Sequence, residues 1–160
     1  MHSEVNLLNE LSWKKVTKRN NLLDYLLLAD EDKAIVQEYI NEGEMFELFC
    51  EGRSVGVCLF TFPDQQTVEI KNIAILEDYR GLGIGSNTIK IAVTYYKEKG
   101  FQQLLVGTAN SSIGNFAFYQ KAGFRFYDIR KDFFLTYPEP IFENGIRAID
   151  MIVFQLPLRK

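Results

Sequence analysis

The sequence predicts an α/β (α+β) domain with a mixed, largely antiparallel central sheet of six to seven strands, flanked by about four helices. Three observations predict it. Short β-branched and aromatic runs over 45–50, 55–62 and 67–76, separated by Glu51-Gly52-Arg53 and Pro63-Asp64, have the texture of an antiparallel meander. After them, apolar residues at helical spacing alternate with short strand-like runs in the order strand, helix, strand, helix, strand, strand. At 160 residues and 47% hydrophobic, the chain fits one core rather than two, so a single domain over 1–160 is expected.

Taken in order, Leu22, Leu23, Leu26 and Leu27, then Ile35, Val36, Tyr39 and Ile40, recur near helical spacing and predict two helices in the first forty residues. Asp30 is the expected N-cap of the second, and Gly43 its stop. An extra first strand comes from 5–8 or from 13–17, and the sequence does not choose between them. Beyond the meander a helix is expected over 85–99. Ile84, Thr88, Ile91 and Tyr95 fall at i, i+4, i+7 and i+11, Ile89, Ala92 and Tyr96 widen the stripe, and Gly100 ends it. A strand over 104–107, a helix over 115–122 closed by Gly123, and strands over 124–129 and 149–156 complete the set. The connection over 136–145 contains Pro138, Pro140, Glu139 and Glu143 and reads as a long irregular loop, a kind that is often functional.

Composition excludes several functions. Eighteen Lys plus Arg against 21 Asp plus Glu give a formal charge of -3 and a pI near 5.3, the wrong sign for a phosphate-backbone binder, so no nucleic acid partner is expected. Cys50 and Cys58 flank the Gly52 turn in strand-like sequence and are expected as buried free thiols. No apolar run is long enough to span a bilayer, and Glu4, Asn6, Asn9 and Glu10 break a signal peptide's order, so a cytoplasmic protein without a membrane partner is expected. His2 is the single histidine and sits in a segment expected to fray, which leaves neither a histidine triad nor a clustered metal site. Catalysis must then use carboxylates, tyrosines, amides or backbone.

Directly after the 67–76 strand comes Arg80-Gly81-Leu82-Gly83-Ile84-Gly85-Ser86, which opens the next helix. Glycines at alternate positions let backbone approach a ligand, and the N–H groups at the helix head favour an anion. The alternative is a tight turn that needs positive φ angles. A P-loop ends in Gly-Lys-Ser/Thr, but Ser86 and Asn87 follow Gly85 here. A dinucleotide fold wants Gly-x-Gly-x-x-Gly and an acidic residue about 20 positions on. The last glycine spacing is one residue short of that, and Gln102, Gln103 and Leu104 occupy the acidic region.

Arg80, Gly83 and Gly85 satisfy a loop written Arg/Gln-x-x-Gly-x-Gly/Ala, and a second element, Asn115-Phe116-Ala117-Phe118-Tyr119-Gln120-Lys121-Ala122-Gly123-Phe124, ends in Tyr-x-x-x-Gly-Phe. Together they resemble the GNAT (GCN5-related) acetyltransferase superfamily from about residue 45 to the C-terminus. The Asp150-Met151-Ile152 strand looks like the family's closing strand. The resemblance implies the GNAT fold, with one splayed pair of parallel strands, and acetyl-CoA as cosubstrate with no metal. It places the pantetheine arm against the backbone of Ile73, Ala74 and Ile75, with 104–107 as the second strand. The pyrophosphate then rests on Arg80, Gly81, Gly83, Ile84, Gly85 and Ser86, with the arginine side chain assisting, and Lys121 or Lys90 meets the ribose phosphate. Solvated helix charge is the other reading of each lysine.

Transfer to an amine poses two proton problems. A lysine-like ammonium, pKa near ~10, must lose a proton before it attacks, and the departing thiolate must gain one. Each proton step is typically worth about 10² to 10⁴ in rate. Tyr119 matches the family's tyrosine acid, and Glu69 falls where histone-type members carry a catalytic glutamate. A core aromatic, and a solvent-facing glutamate paired with Lys71, are the alternatives. Many members have asparagine seven residues before the tyrosine. Ser112 stands there, leaving Asn110 or Asn115 to contact the pantetheine. Members that acetylate ribosomal N-termini often carry a glutamate on the later strand, where Leu105 stands here.

The implied function is an N-acetyltransferase, acting on a primary amine of a small molecule or peptide by direct attack in a ternary complex. A catalytically silent acyl-CoA-binding module is the alternative. Glu42, Glu44, Glu47, Glu139 and Glu143 could attract a cationic amine or simply be solvated surface, and Tyr137 and Phe142 could line a pocket. A homodimer is possible through an exposed late strand.

Overall fold

The computed structural model describes residues 11–158; His2 and the 5–8 run lie outside the described residues. The three meander runs pair as one antiparallel unit: β2 (Glu44–Cys50), β3 (Arg53–Asp64) and β4 (Thr67–Ile75). Glu51 and Gly52, with φ of 51° and 78°, form the two-residue turn between β2 and β3, the left-handed geometry that matches strand twist. The extra first strand is β1 (Leu11–Lys15), paired with β2. Beyond β4 come β5 (Gln103–Ala109), β6 (Arg125–Arg130), the two-residue strands β7 (Phe142–Glu143) and β8 (Ile146–Arg147), and β9 (Met151–Pro157). Among the described residues the main sheet has seven strands in the order β1-β2-β3-β4-β5-β9-β6, and only β4 and β5 run parallel.

Four α-helices among the described residues accompany it: α1 (Leu23–Leu26), preceded by a 3-10 turn over Arg19–Leu22, α2 (Lys33–Tyr39), α3 (Ile84–Glu98) and α4 (Ile113–Lys121). The N-cap of α2 is Asp32, whose carboxylate accepts from Ile35 N at 3.0 Å, and not Asp30 as expected. The connection over 136–145 is also less irregular than expected. A 3-10 turn, Phe133–Thr136, precedes it, and β7 and β8 form a hairpin about Asn144-Gly145, both with positive φ. Cys50 and Cys58 are both buried, and no disulfide joins them.

Successive residues of β3 divide the core. Cys58 and Phe60 join Tyr96 of α3, Tyr119 of α4 and Phe154 of β9, whereas Val57 and Leu59 join Leu26, Val36 and Met45 on the α1/α2 face. Within α3 the buried stripe is centred on Ile89, Ala92 and Tyr96, with Ile91 and Tyr95 at its margin. Leu59 opposes Asn72 while Phe60 opposes Ile70, so Lys71 is an extra residue in β4. This bulge inverts the strand's facing: Val68 and Ile70 pack with the α3 cluster, but beyond Lys71 it is Ile73 that turns that way, and Ala74 joins the other face. Among the described residues, no helix is long and apolar enough to cross a membrane.

Gly56 of β3 holds β4 close at this point. A Cβ on it would collide with the Ala74 carbonyl oxygen, a backbone atom that cannot turn aside. Gly56→Ala is expected to lower stability by about 1–3 kcal/mol, read from the midpoint of urea denaturation.

Candidate active site

The parallel pairing of β4 with β5 runs from Thr67↔Gln103 to Ile70↔Val106 and then stops, although β4 continues to Ile75 and β5 to Ala109. The two strands part like a V, and the β5-facing backbone of 71–75 is left without a strand partner. On its other side the same stretch stays fixed, with Ile73, Ala74 and Ile75 opposite Cys58, Val57 and Gly56. The gap opens into a cleft of about 920 Å³.

The glycine-rich turn forms one end of this cleft. Gly81 and Gly83 have φ of 75° and 82°, are exposed, and stand at the head of α3 with Gly83 as its N-cap. Nothing lies within 4 Å of where a Cβ on Gly81 would stand. Arg80 donates from Nε to the Ile75 carbonyl at 2.9 Å, which ties the turn to the end of β4. Gly85 meets the next helix, where an added Cβ would lie 3.2 Å from the Phe118 ring. The cleft is lined by Ile73, Ala74, Ile75, Arg80, Gly81, Gly83, Ile84, Gly85 and Ser86, all named from the sequence.

Tyr119 lines the cleft from α4 while 5% exposed, packed on Phe118, Phe124 and Phe154. Burial, with a smaller effect from Cys58, pushes its phenol far above the ordinary tyrosine value, so it carries its proton at neutral pH. Asn115 also lines the cleft, donating to Thr108 Oγ1 at 3.0 Å. Asn110 does not. Its Oδ1 accepts from Ile149 N at 2.8 Å and Asp150 N at 3.0 Å, and its Nδ2 donates to the Arg147 carbonyl at 3.1 Å, so the whole amide is committed to the approach to β9. Lys121 and Lys90 are exposed and stand outside the cleft lining.

Glu69 is 8% exposed and lies outside the cleft lining. Its carboxylate stands 3.9 Å from Arg130 rather than beside Lys71, which instead lies 5.2 Å from the centre of the Tyr39 ring. Of the acidic residues considered for amine attraction, Glu143 lines the cleft and accepts from Ser112 Oγ at 2.7 Å. Glu44 pairs with Lys15 at 2.9 Å, and Glu47 accepts from Ser54 at 2.6 Å. Tyr137 lines the cleft, whereas Phe142 is 64% exposed and does not.

One group in the cleft went unrecognised as a site residue. Asp30, between α1 and α2, accepts from Tyr39 Oη at 3.0 Å and from Tyr137 Oη at 3.1 and 3.2 Å. Burial raises its pKa above the ordinary 3.8, and the two phenols, the Asp32 backbone and Lys71 draw it partly back. No local sequence signal marks it.

An unpaired, peptide-like strand edge that ends on exposed amides at a helix head suits a ligand with an extended amide-bearing arm and an anionic end. Comparison with known proteins agrees. The model of the Acetyltransferase (GNAT) family matches residues 9–124, and the chain belongs to that family. It is 42% identical over 140 residues to YvbK, an uncharacterized N-acetyltransferase of Bacillus subtilis, covering 87% of this chain and 90% of that one. A GNAT family acetyltransferase from Elizabethkingia anophelis, solved with acetyl-CoA bound, superposes with TM-score 0.87 at 38% identity over 93% of this chain and 99% of that one. A Bacillus subtilis acetyltransferase solved with CoA gives TM-score 0.85 at 40% identity over the same shares, 93% and 99%.

A raised carboxyl pKa links Asp30 to stability. The native state holds its proton more tightly than the unfolded chain does. The resulting stabilisation is full below the unfolded value and is lost as pH rises through the raised native one. Urea midpoints measured across the weakly acidic range are expected to fall more with rising pH in the wild type than in Asp30→Asn.

Proposed function

We propose that this protein transfers the acetyl group of acetyl-CoA to a primary amine by direct attack in a ternary complex. The observation that carries the reading is the unpaired 71–75 edge of β4, which leads into the Gly81–Gly83 turn with Tyr119 in the same cleft. The pantetheine amides pair with the β4 backbone at 73–75. The pyrophosphate lies on the N–H groups from Gly81 to Ser86, where the α3 dipole favours negative charge. Asn115 and Thr108 flank the arm from the far side of the V.

An ammonium R–NH₃⁺ releases one proton and the neutral nitrogen attacks the thioester carbon, forming the C–N bond. The tetrahedral intermediate collapses with loss of the C–S bond, and Tyr119 gives its proton to the thiolate. The second nitrogen proton, returned through water, restores the phenol. The products are the N-acetyl amine, coenzyme A and one proton released to solvent. A buried phenol suits this role because desolvation disfavours a standing phenolate. Glu69 lies outside the cleft lining, so a proton reaches it from a bound amine only by relay.

Coenzyme A release is to be followed with acetyl-CoA and a panel of benzylamine, phenethylamine, spermidine and a lysine peptide. Turnover with at least one is expected, and none would leave a silent acyl-CoA-binding module. Tyr119→Phe is expected to lower kcat by about 10² to 10⁴ while coenzyme A affinity, by calorimetry, stays within about twofold. Loss of affinity to the same degree would assign Tyr119 to packing alone.

A further inference from the structure

The α1–α2 connection brings into the cleft a carboxylate that the transfer steps above leave unused. Three segments hold it. Tyr39 comes from α2, Tyr137 from the connection 107 residues beyond Asp30, and Tyr39 Oη itself accepts from Asn72 Nδ2 of β4 at 3.0 Å. The same Asn72 nitrogen donates to the Leu26 carbonyl of α1 at 2.9 Å. Asn72 precedes Ile73, so this chain of bonds fixes Asp30 against the point where β4 leaves β5.

The surroundings are unbalanced in a particular direction. Two phenols and the Asp32 backbone N–H donate to Asp30, while a carboxylate offers about four acceptor sites. No lysine or arginine among the described residues forms an ion pair with it. Asn72 Oδ1, in a cleft-lining residue 4% exposed, is a buried acceptor without a partner. The charged groups of the cleft wall are Lys71, which lies over the Tyr39 ring and lowers the Asp30 pKa, Arg80, tied to the Ile75 carbonyl, and the acids Glu31 and Glu143; Asp32 adds a charge felt at Tyr137. Lys71 acts on Asp30 from a distance without pairing with it, and a partly desolvated anion that lacks a contact ion pair costs stability that a bound cation would return. Spare acceptors and no fixed cation are what an ammonium needs.

We propose that Asp30 is the acceptor-amine site: its carboxylate binds the ammonium of a cationic primary amine and takes one of its protons before attack. This rests on the acetyl transfer proposed above. The proton moves from nitrogen to Asp30 Oδ, the freed lone pair forms the bond to the thioester carbon, and the protonated carboxyl later returns its proton to solvent. Tyr39 and Tyr137 are positioning residues that hold the carboxylate through their hydroxyls.

The test uses the amine of the panel with the highest turnover. At pH 7, Asp30→Asn is expected to lose about 100-fold or more in kcat/KM, with coenzyme A affinity unchanged. The deficit should shrink by roughly tenfold per pH unit toward the amine's own pKa, because solution then supplies the neutral nucleophile. Tyr137→Phe removes a donor to the charged form, so the acid limb of kcat/KM is expected to move to higher pH. This second variant carries the test if Asp30→Asn does not fold. A deficit under twofold, one independent of pH, an unmoved acid limb in Tyr137→Phe, or lost coenzyme A affinity overturns the assignment of Asp30. A wild type that acetylates no amine would instead overturn the transfer reading itself.

Discussion

β4 and β5 are hydrogen-bonded neighbours only as far as Ile70 and Val106, and the site depends on that interruption. A paired parallel strand has no amide to give a ligand. A strand unpaired along its whole length would not hold its shape. Here β3 fixes one edge of β4 through to Ile75, with Gly56 allowing the close approach, and the other edge stays open. The bulge at Lys71 sits at the start of the opening and sets which side chains face each way beyond it.

The two faces of the sheet divide the labour. On the α3/α4 face an aromatic core of Phe60, Tyr96, Phe154 and Phe124 fixes the helix that carries Tyr119 and the helix whose head receives the glycine turn. The burial that anchors Tyr119 is also what keeps its proton in place. On the α1/α2 face the packing is aliphatic, Leu26, Val36, Met45 and Leu59, and the polar groups collect at the rim around Asp30. The cleft between the faces therefore has a buried phenol on one side and a carboxylate on the other.

Much of this was legible because it is local. Each strand of the meander, the glycine turn and the Tyr-x-x-x-Gly-Phe element lies within about a dozen residues, and their residue types carry their geometry. Asn144-Gly145 was equally legible, since this pair is a strong signal for a tight hairpin, yet the neighbouring prolines suggested an irregular loop. The bulge was not readable, because one extra residue in β4 changes the facing of side chains without changing their kind. Nor was the Asp30 cluster, whose partners come from residues 39, 72 and 137 and meet only in the folded chain. Asn110 and Asn115 could not be told apart in the sequence for a related reason. An asparagine near the family position suggests a ligand contact, but only tertiary structure reveals that the Asn110 amide is spent on Arg147, Ile149 and Asp150.

Amide hydrogen exchange across 71–75 and 81–86, with and without coenzyme A, probes the open strand edge most directly. If the main chain grips the cofactor, amides in both stretches slow together on adding coenzyme A, while β2 and β6 stay as they were. Unchanged exchange in both stretches, at a coenzyme A concentration that saturates binding by calorimetry, would contradict the account.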